Sequence, residues 1–129
     1  MKNQSIPEDY QQVMPYVIIP DPEAFLKFAK EVLNATERRI DRKEDGSFGH
    51  AEIAVGESVI MFSGSMAGGE PNPAGLFVYV ADADAAFAKA LELGAKEVMP
   101  VSEQPYGRSG GVKDTNGNTW WLTAAPAAR

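Results

Sequence analysis

The chain repeats itself, and that repetition limits its fold more than any other feature of the sequence. Val17-Ile18-Ile19 reads as a short buried strand halted at Pro20. Asp21 is a good helix N-cap, and Pro22 falls at the first helical position, where its missing N–H costs nothing. Phe25, Phe28, Ala29, Val32 and Leu33 then follow helical spacing up to a stop at Asn34. The second half repeats the order. Leu76–Val80 reads as a strand, Asp82 or Asp84 caps a helix that carries Phe87, Ala90 and Leu91 on one face, and Gly94 ends it.

After each helix the period shortens to that of strands broken by turn residues. The first set is about Glu37–Arg42, His50–Val55 and Ser58–Ser63, with turns at Asp45-Gly46 and Gly56-Glu57. The second is about Glu97–Val101, Gly110–Lys113 and Thr119–Thr123, broken around Pro105 and at Asn116-Gly117-Asn118. Asp21 and Asp82 lie 61 positions apart, and so do Gly56 and Gly117. Two anchors with one offset, in one order of elements, indicate a duplicated βαβββ unit. The expected fold is therefore α+β, a single domain over 1–129. Module one covers about 13–62, a Gly/Pro-rich connector covers 63–73, and module two covers about 74–124.

Composition removes whole classes of function. A net charge of −6 opposes binding to nucleic-acid phosphates or anionic membranes, so neither partner is expected. The chain has no cysteine, which excludes disulfides, thiolate catalysis and Cys-ligated metal. Its one histidine, His50, excludes any site that needs two imidazoles from one chain. The opening MKNQSIPEDYQQ has no apolar signal region, and no apolar run reaches the roughly 20 residues of a membrane helix, so a cytoplasmic protein is expected.

Five stretches carry a family resemblance. They are the helix entry Val80-Ala81-Asp82-Ala83-Asp84-Ala85-Ala86-Phe87, the ending Asp114-Thr115-Asn116-Gly117-Asn118-Thr119-Trp120-Trp121, and the segments His50–Ile53, Gly56–Met61 and Tyr106–Asp114. In this order and spacing the chain resembles the vicinal oxygen chelate superfamily, which includes glyoxalase I, extradiol dioxygenases and the fosfomycin- and bleomycin-resistance proteins. Its wording is most similar to the PhnB-like subgroup, and the resemblance spans about Val13 to Ala124. It implies an open barrel of two half-barrels with helices outside and a cleft between the concave faces. It also implies a homodimer that often completes each cleft from both chains.

Strand alternation then distributes the side chains. Ala51, Ile53 and Val55 are expected beneath the helix, leaving His50, Glu52 and Ala54 toward the cleft. Trp120 and Leu122 are expected on the helix side, and Thr119, Trp121 and Thr123 opposite. By the same count Met14, Tyr16, Ile18, Phe77 and Tyr79 line the cleft. The metal ligands that the resemblance implies fall on Met14, on Ile60 or Met61, on Gly75 and on Trp121. None supplies the oxygen or imidazole donor that a hard or borderline divalent ion needs, so neither a metal nor another cofactor is expected.

Two functions are compatible with these residues. The first is a metal-free protein that binds a small apolar or aromatic molecule, in one class a cation, which the acidic surface would favour. Its ligand-binding candidates are Tyr16, Ile60, Phe77, Tyr79, Tyr106, Trp121, and Arg108 as an anchor in a Gly-rich loop. The bland alternative for Arg108 is a salt bridge, and for the rings a filled core. The second function is a metal-free enzyme acting on a small carbonyl or aromatic substrate, with the candidate catalytic pair His50 and Glu52 as base.

Overall fold

The computed structural model describes residues 6–65 and 70–126. Residues 66–69 of the connector lie outside that range. The order of elements is β1 (Tyr16–Ile19), α1 (Pro22–Leu33), β2 (Thr36–Arg42), β3 (Phe48–Val55), β4 (Ser58–Gly64), β5 (Gly75–Tyr79), α2 (Ala83–Glu92), β6 (Lys96–Gln104), β7 (Gly107–Lys113) and β8 (Thr119–Ala124). Each half is a βαβββ unit. The sheets run β1-β4-β3-β2 and β5-β8-β7-β6, with β1/β4 and β5/β8 parallel and every other pair antiparallel.

Local chemistry fixes the ends of the elements as the sequence indicates. Asp21 Oδ1 accepts from the Ala24 N–H at 3.1 Å, and Asp82 Oδ1 from the Ala85 N–H at 3.0 Å. Asp82, rather than Asp84, is thus the second cap. Asn34 closes α1 in the left-handed conformation, φ 55°. The paired turn glycines Gly56 and Gly117 both have positive φ, 58° and 93°, which a side chain would disfavour. The charged strand β2 lies at a sheet edge, where charge discourages further pairing.

Two boundaries differ from the sequence reading. The Gly-rich stretch around Arg108 is not a loop: β6 reaches Gln104 and β7 begins at Gly107. Its glycines are there for close packing across a strand. A Cβ on Gly110 would press into Val101 and Phe87, and one on Gly111 would lie 2.5 Å from the Trp121 ring. The connector, for its part, begins after Gly64, where β4 ends. Asn72 exchanges two backbone hydrogen bonds with Ile18, so the chain enters the second half alongside β1.

One core serves both halves. Val17, Ile19, Ala51, Ile53 and Phe62 of the first sheet share it with Val112, Trp120 and Leu122 of the second, and α1 packs on α2. Trp120 is the joint, its ring centroid 6.1 Å from Phe25 and 5.6 Å from Phe28 of the other half. Its indole N–H donates to Asp114 Oδ2 at 2.8 Å. Asp114 also accepts from the backbone N–H groups of Asn116 and Asn118. Asn116 in turn clasps the first helix cap, accepting from the Asp21 N–H and donating to the Asp21 carbonyl, both at 2.8 Å. The helix-free face of each sheet points away from this shared core.

Asp114→Ala would leave the buried indole N–H and two loop amides without an acceptor. A loss of about 3 kcal/mol or more is expected in urea unfolding, since each orphaned buried donor costs on the order of 1–3 kcal/mol. Loss of under 1 kcal/mol would mean that the joint does not depend on this carboxylate.

Candidate functional site

The helix-free face of the first sheet carries one connected polar cluster. Tyr16 pairs in register with Met61, and Met61 with Glu52, so all three share a face with His50. Glu52 is only 3% exposed, and both its oxygens are engaged. Oε2 lies 2.8 Å from His50 Nε2, and Oε1 accepts from the Tyr10 hydroxyl at 2.7 Å. Arg38 Nε stands 3.7 Å from Oε1, with its guanidinium 4.7 Å above the Tyr10 ring. The Nε2 side of His50 thus faces Glu52, and Nδ1 lies 3.3 Å from the Tyr16 hydroxyl. The result is a carboxylate–imidazole–phenol chain whose outer end, Tyr16, is 45% exposed.

Burial pushes the Glu52 carboxyl up, but the hydrogen bonds from Tyr10 and His50 and the charges of His50 and Arg38 together outweigh it, and the carboxyl sits below its ordinary value.

The second sheet presents aromatic rings on its helix-free face. Phe77 is paired with Trp121 and Tyr79 with Thr123. Phe77 lies edge-on to Tyr79 at 5.3 Å and 6.0 Å from Tyr106, which stands in the β6–β7 turn. Phe77, Tyr79 and Tyr106 are 50%, 62% and 45% exposed, so this face is open rather than filled. Trp121 lies against Gly111, where no side chain obstructs the ring. Beneath the rings Ser109 and Thr123 are fully buried and bonded to each other at 2.9 Å.

The predicted site residues therefore fall into separate groups. Tyr16, His50 and Glu52 come together on the first sheet, and Phe77, Tyr79, Tyr106 and Trp121 on the second. Ile60 faces the helix side by its register with Ile53 and is 7% exposed, yet it shares a groove with Phe77 and Tyr79. It borders a groove of about 390 Å³ between the β3–β4 turn and the free edge of β5. Arg108 stands apart. Its Nε and Nη2 donate to Asp84 at 2.6 and 3.0 Å and its Nη1 to Glu103 at 3.0 Å, which holds its pKa above the ordinary value and leaves no free fork for a ligand. The bland alternative for Arg108 is what the fold adopts, because the residue projects on the α2 side of β7.

The sequence reading missed Tyr10, Gln11 and Arg38. Tyr10 and Gln11 precede the stretch that carries the resemblance, and Arg38 is one of several charged residues in the strand Glu37–Arg42. Among the described residues no three His, Asp or Glu side chains gather as a metal would require. Met14, Ile60, Met61, Gly75 and Trp121, where the resemblance implies ligands, offer no oxygen or imidazole donor, so the donor set does not fit the divalent ion of the related enzymes. No helix of the described residues is long and apolar enough to cross a membrane.

Two outcomes are expected. With its pKa lowered by folding, Glu52 contributes stability that is present above its ordinary value of 4.5 and lost as pH falls through the lower folded value. The difference in unfolding free energy between wild type and Glu52→Gln should therefore be flat above about pH 5 and shrink below it. A difference that grows on acidification would contradict this sign. Gly111→Ala should displace the Trp121 ring, shifting its emission and costing about 1–3 kcal/mol; an unchanged spectrum would mean the ring does not rest there.

Comparison with known proteins agrees with this architecture. An uncharacterized protein of Mycobacterium bovis, Mb0911c, is 28% identical over 120 residues, 84% of this chain and 79% of that protein. The PhnB protein of Bacillus cereus superposes with a TM-score of 0.67 at 17% identity, covering 89% of this chain and 100% of that one. TnmS3, an antibiotic binding protein from Streptomyces sp. CB03234, superposes at 0.65 with 19% identity, covering 90% and 98%. At such identities these two structures establish a shared fold. Residues 11–122 match the model of the Glyoxalase/Bleomycin resistance protein/Dioxygenase superfamily, and the chain belongs to that superfamily.

Proposed function

We propose that this protein binds a small planar molecule, apolar or aromatic and in one class cationic, against the aromatic face of its second sheet, without a metal and without turnover. The observation that carries this reading is the cluster of Phe77, Tyr79 and Tyr106, three adjoining rings each about half exposed or more. Large apolar rings grouped on an open face mark a binding surface rather than a core. Rings set at an angle beside Trp121 offer both edge and face to a planar guest. The net charge of −6 raises the encounter rate of a cation. A metal-free reading follows from the donor set, and TnmS3 is a precedent for antibiotic binding on this fold.

The same reading includes a cytoplasmic homodimer. One chain leaves the Tyr16–His50 face and the Phe77–Tyr79 face each open and on different sheets. A second copy, related by a two-fold axis, would set one face against the other and build two equivalent clefts. The free edge of β5 and the groove beside it are the natural contact.

A second reading rests on the Glu52–His50–Tyr16 chain. Glu52 would stabilise an imidazolium formed when His50 Nδ1 takes the Tyr16 proton, making Tyr16 a base toward an acidic C–H or O–H of a small substrate. His50→Ala would then abolish turnover and keep binding.

A thermal-shift screen of planar antibiotics and metabolites, with and without Zn, Ni or Mn, decides among these. Stabilisation by one aromatic class, unchanged by metal, is expected. Tyr79→Ala and Trp121→Leu should each weaken that binding roughly tenfold or more, while Leu91→Ala on α2 should not. A tightly held stoichiometric metal, or binding insensitive to both ring substitutions, would sink the proposal.

A further inference from the structure

Residues 6–14 cross the helix-free face of the first sheet as a strap. A turn closed by the Tyr10 N–H to the Pro7 carbonyl, with Asp9 at φ 68°, aims Tyr10 at Glu52. Gln11 fastens the strap by donating from Nε2 to the Val59 carbonyl at 2.8 Å and accepting from the Val59 N–H at 3.2 Å. The strap buries none of its own residues, and Val13 is 83% exposed. Segments with so little buried surface open at small cost. What the strap covers is different in kind. Glu52 is a buried carboxylate, and Tyr10 supplies one of its hydrogen bonds while Arg38 lies over the ring.

We propose that this seat is a binding site for a phenolic ligand, an aromatic ring bearing a hydroxyl, which Tyr10 occupies until such a ligand displaces the strap. Two parts of the seat lie outside the strap and match that chemistry. Glu52 Oε1 accepts a hydrogen bond from the hydroxyl, and the Arg38 guanidinium covers the ring face. A ring without a hydroxyl would cover the carboxylate and return no donor, so it should bind roughly tenfold or more weakly. At Glu52 the swap conserves the hydrogen bond and exchanges its donor, while the two Gln11–Val59 hydrogen bonds pass to water. This deepens the small-molecule reading above by naming a ligand class for the first sheet, and Trp121 on the second sheet reports that reading separately.

The probe is 4-methylphenol, the Tyr side chain in isolation, compared with toluene. In Tyr10→Ala, 4-methylphenol should raise the melting temperature in a saturable way and toluene should not. Tyr10→Phe keeps the ring and removes the hydroxyl, so it tests the seat without a cavity. In that variant the Val59 amide should exchange faster than in wild type, because the strap is loosened, while the Met61 amide, bonded to the Pro15 carbonyl, keeps its protection. Adding 4-methylphenol to Tyr10→Phe should accelerate Val59 exchange further. Equal effects of toluene and 4-methylphenol, or no effect of either on both variants, would overturn the proposal. Loss of Trp121-dependent binding of planar ligands, with the phenol effects intact, would count against the second-sheet reading alone.

Discussion

The contact of Trp120 with Phe25 and Phe28 holds the molecule together, and the Asp114 carboxylate makes it possible. An indole can be buried between two halves only if its N–H finds an acceptor there. Asp114 supplies it at 2.8 Å, and the same carboxylate orders the Asn116–Asn118 turn. That turn then reaches across to the Asp21 cap of α1 through Asn116. Apolar packing and polar satisfaction therefore meet at one point, and the relative placement of the two sheets follows from it.

That placement has a functional consequence. With both helices gathered on the shared core, the candidate site residues are left on the helix-free faces. The two faces are not alike. The first is polar and organised around a single buried carboxylate, whose two oxygens hold His50 and Tyr10. The second is aromatic and open. Duplication supplied two copies of one scaffold, and the side chains at equivalent outward positions diverged into a hydrogen-bonding surface and a stacking surface.

The fold was legible to an unusual depth because its signals are local. Asp21 with Pro22, Asp82, Asn34, Gly56 and Gly117 each declare an end or a turn by their own stereochemistry, and alternation placed Ala51 and Ile53 opposite His50 and Glu52. The site was legible only in part. Ile60 has the composition of a cleft residue, yet its register partner Ile53 turns it inward. Arg108 stands among glycines that suggest a loop, yet those glycines serve Phe87, Val101 and Trp121 across a strand, and the guanidinium is consumed by Asp84 and Glu103.

The amino-acid order alone determined the duplicated βαβββ plan, the side of each strand, and the missing donors for a divalent ion, since each depends on residue type and short-range period. Only the tertiary structure decided that Tyr10 roofs Glu52, that Arg38 lies over it, and that His50 is gripped from behind while Tyr16 faces outward. These are contacts between residues as far as 42 positions apart, as Tyr10 and Glu52 are. No periodicity encodes which partner a buried carboxylate finds once the sheet has brought several within reach.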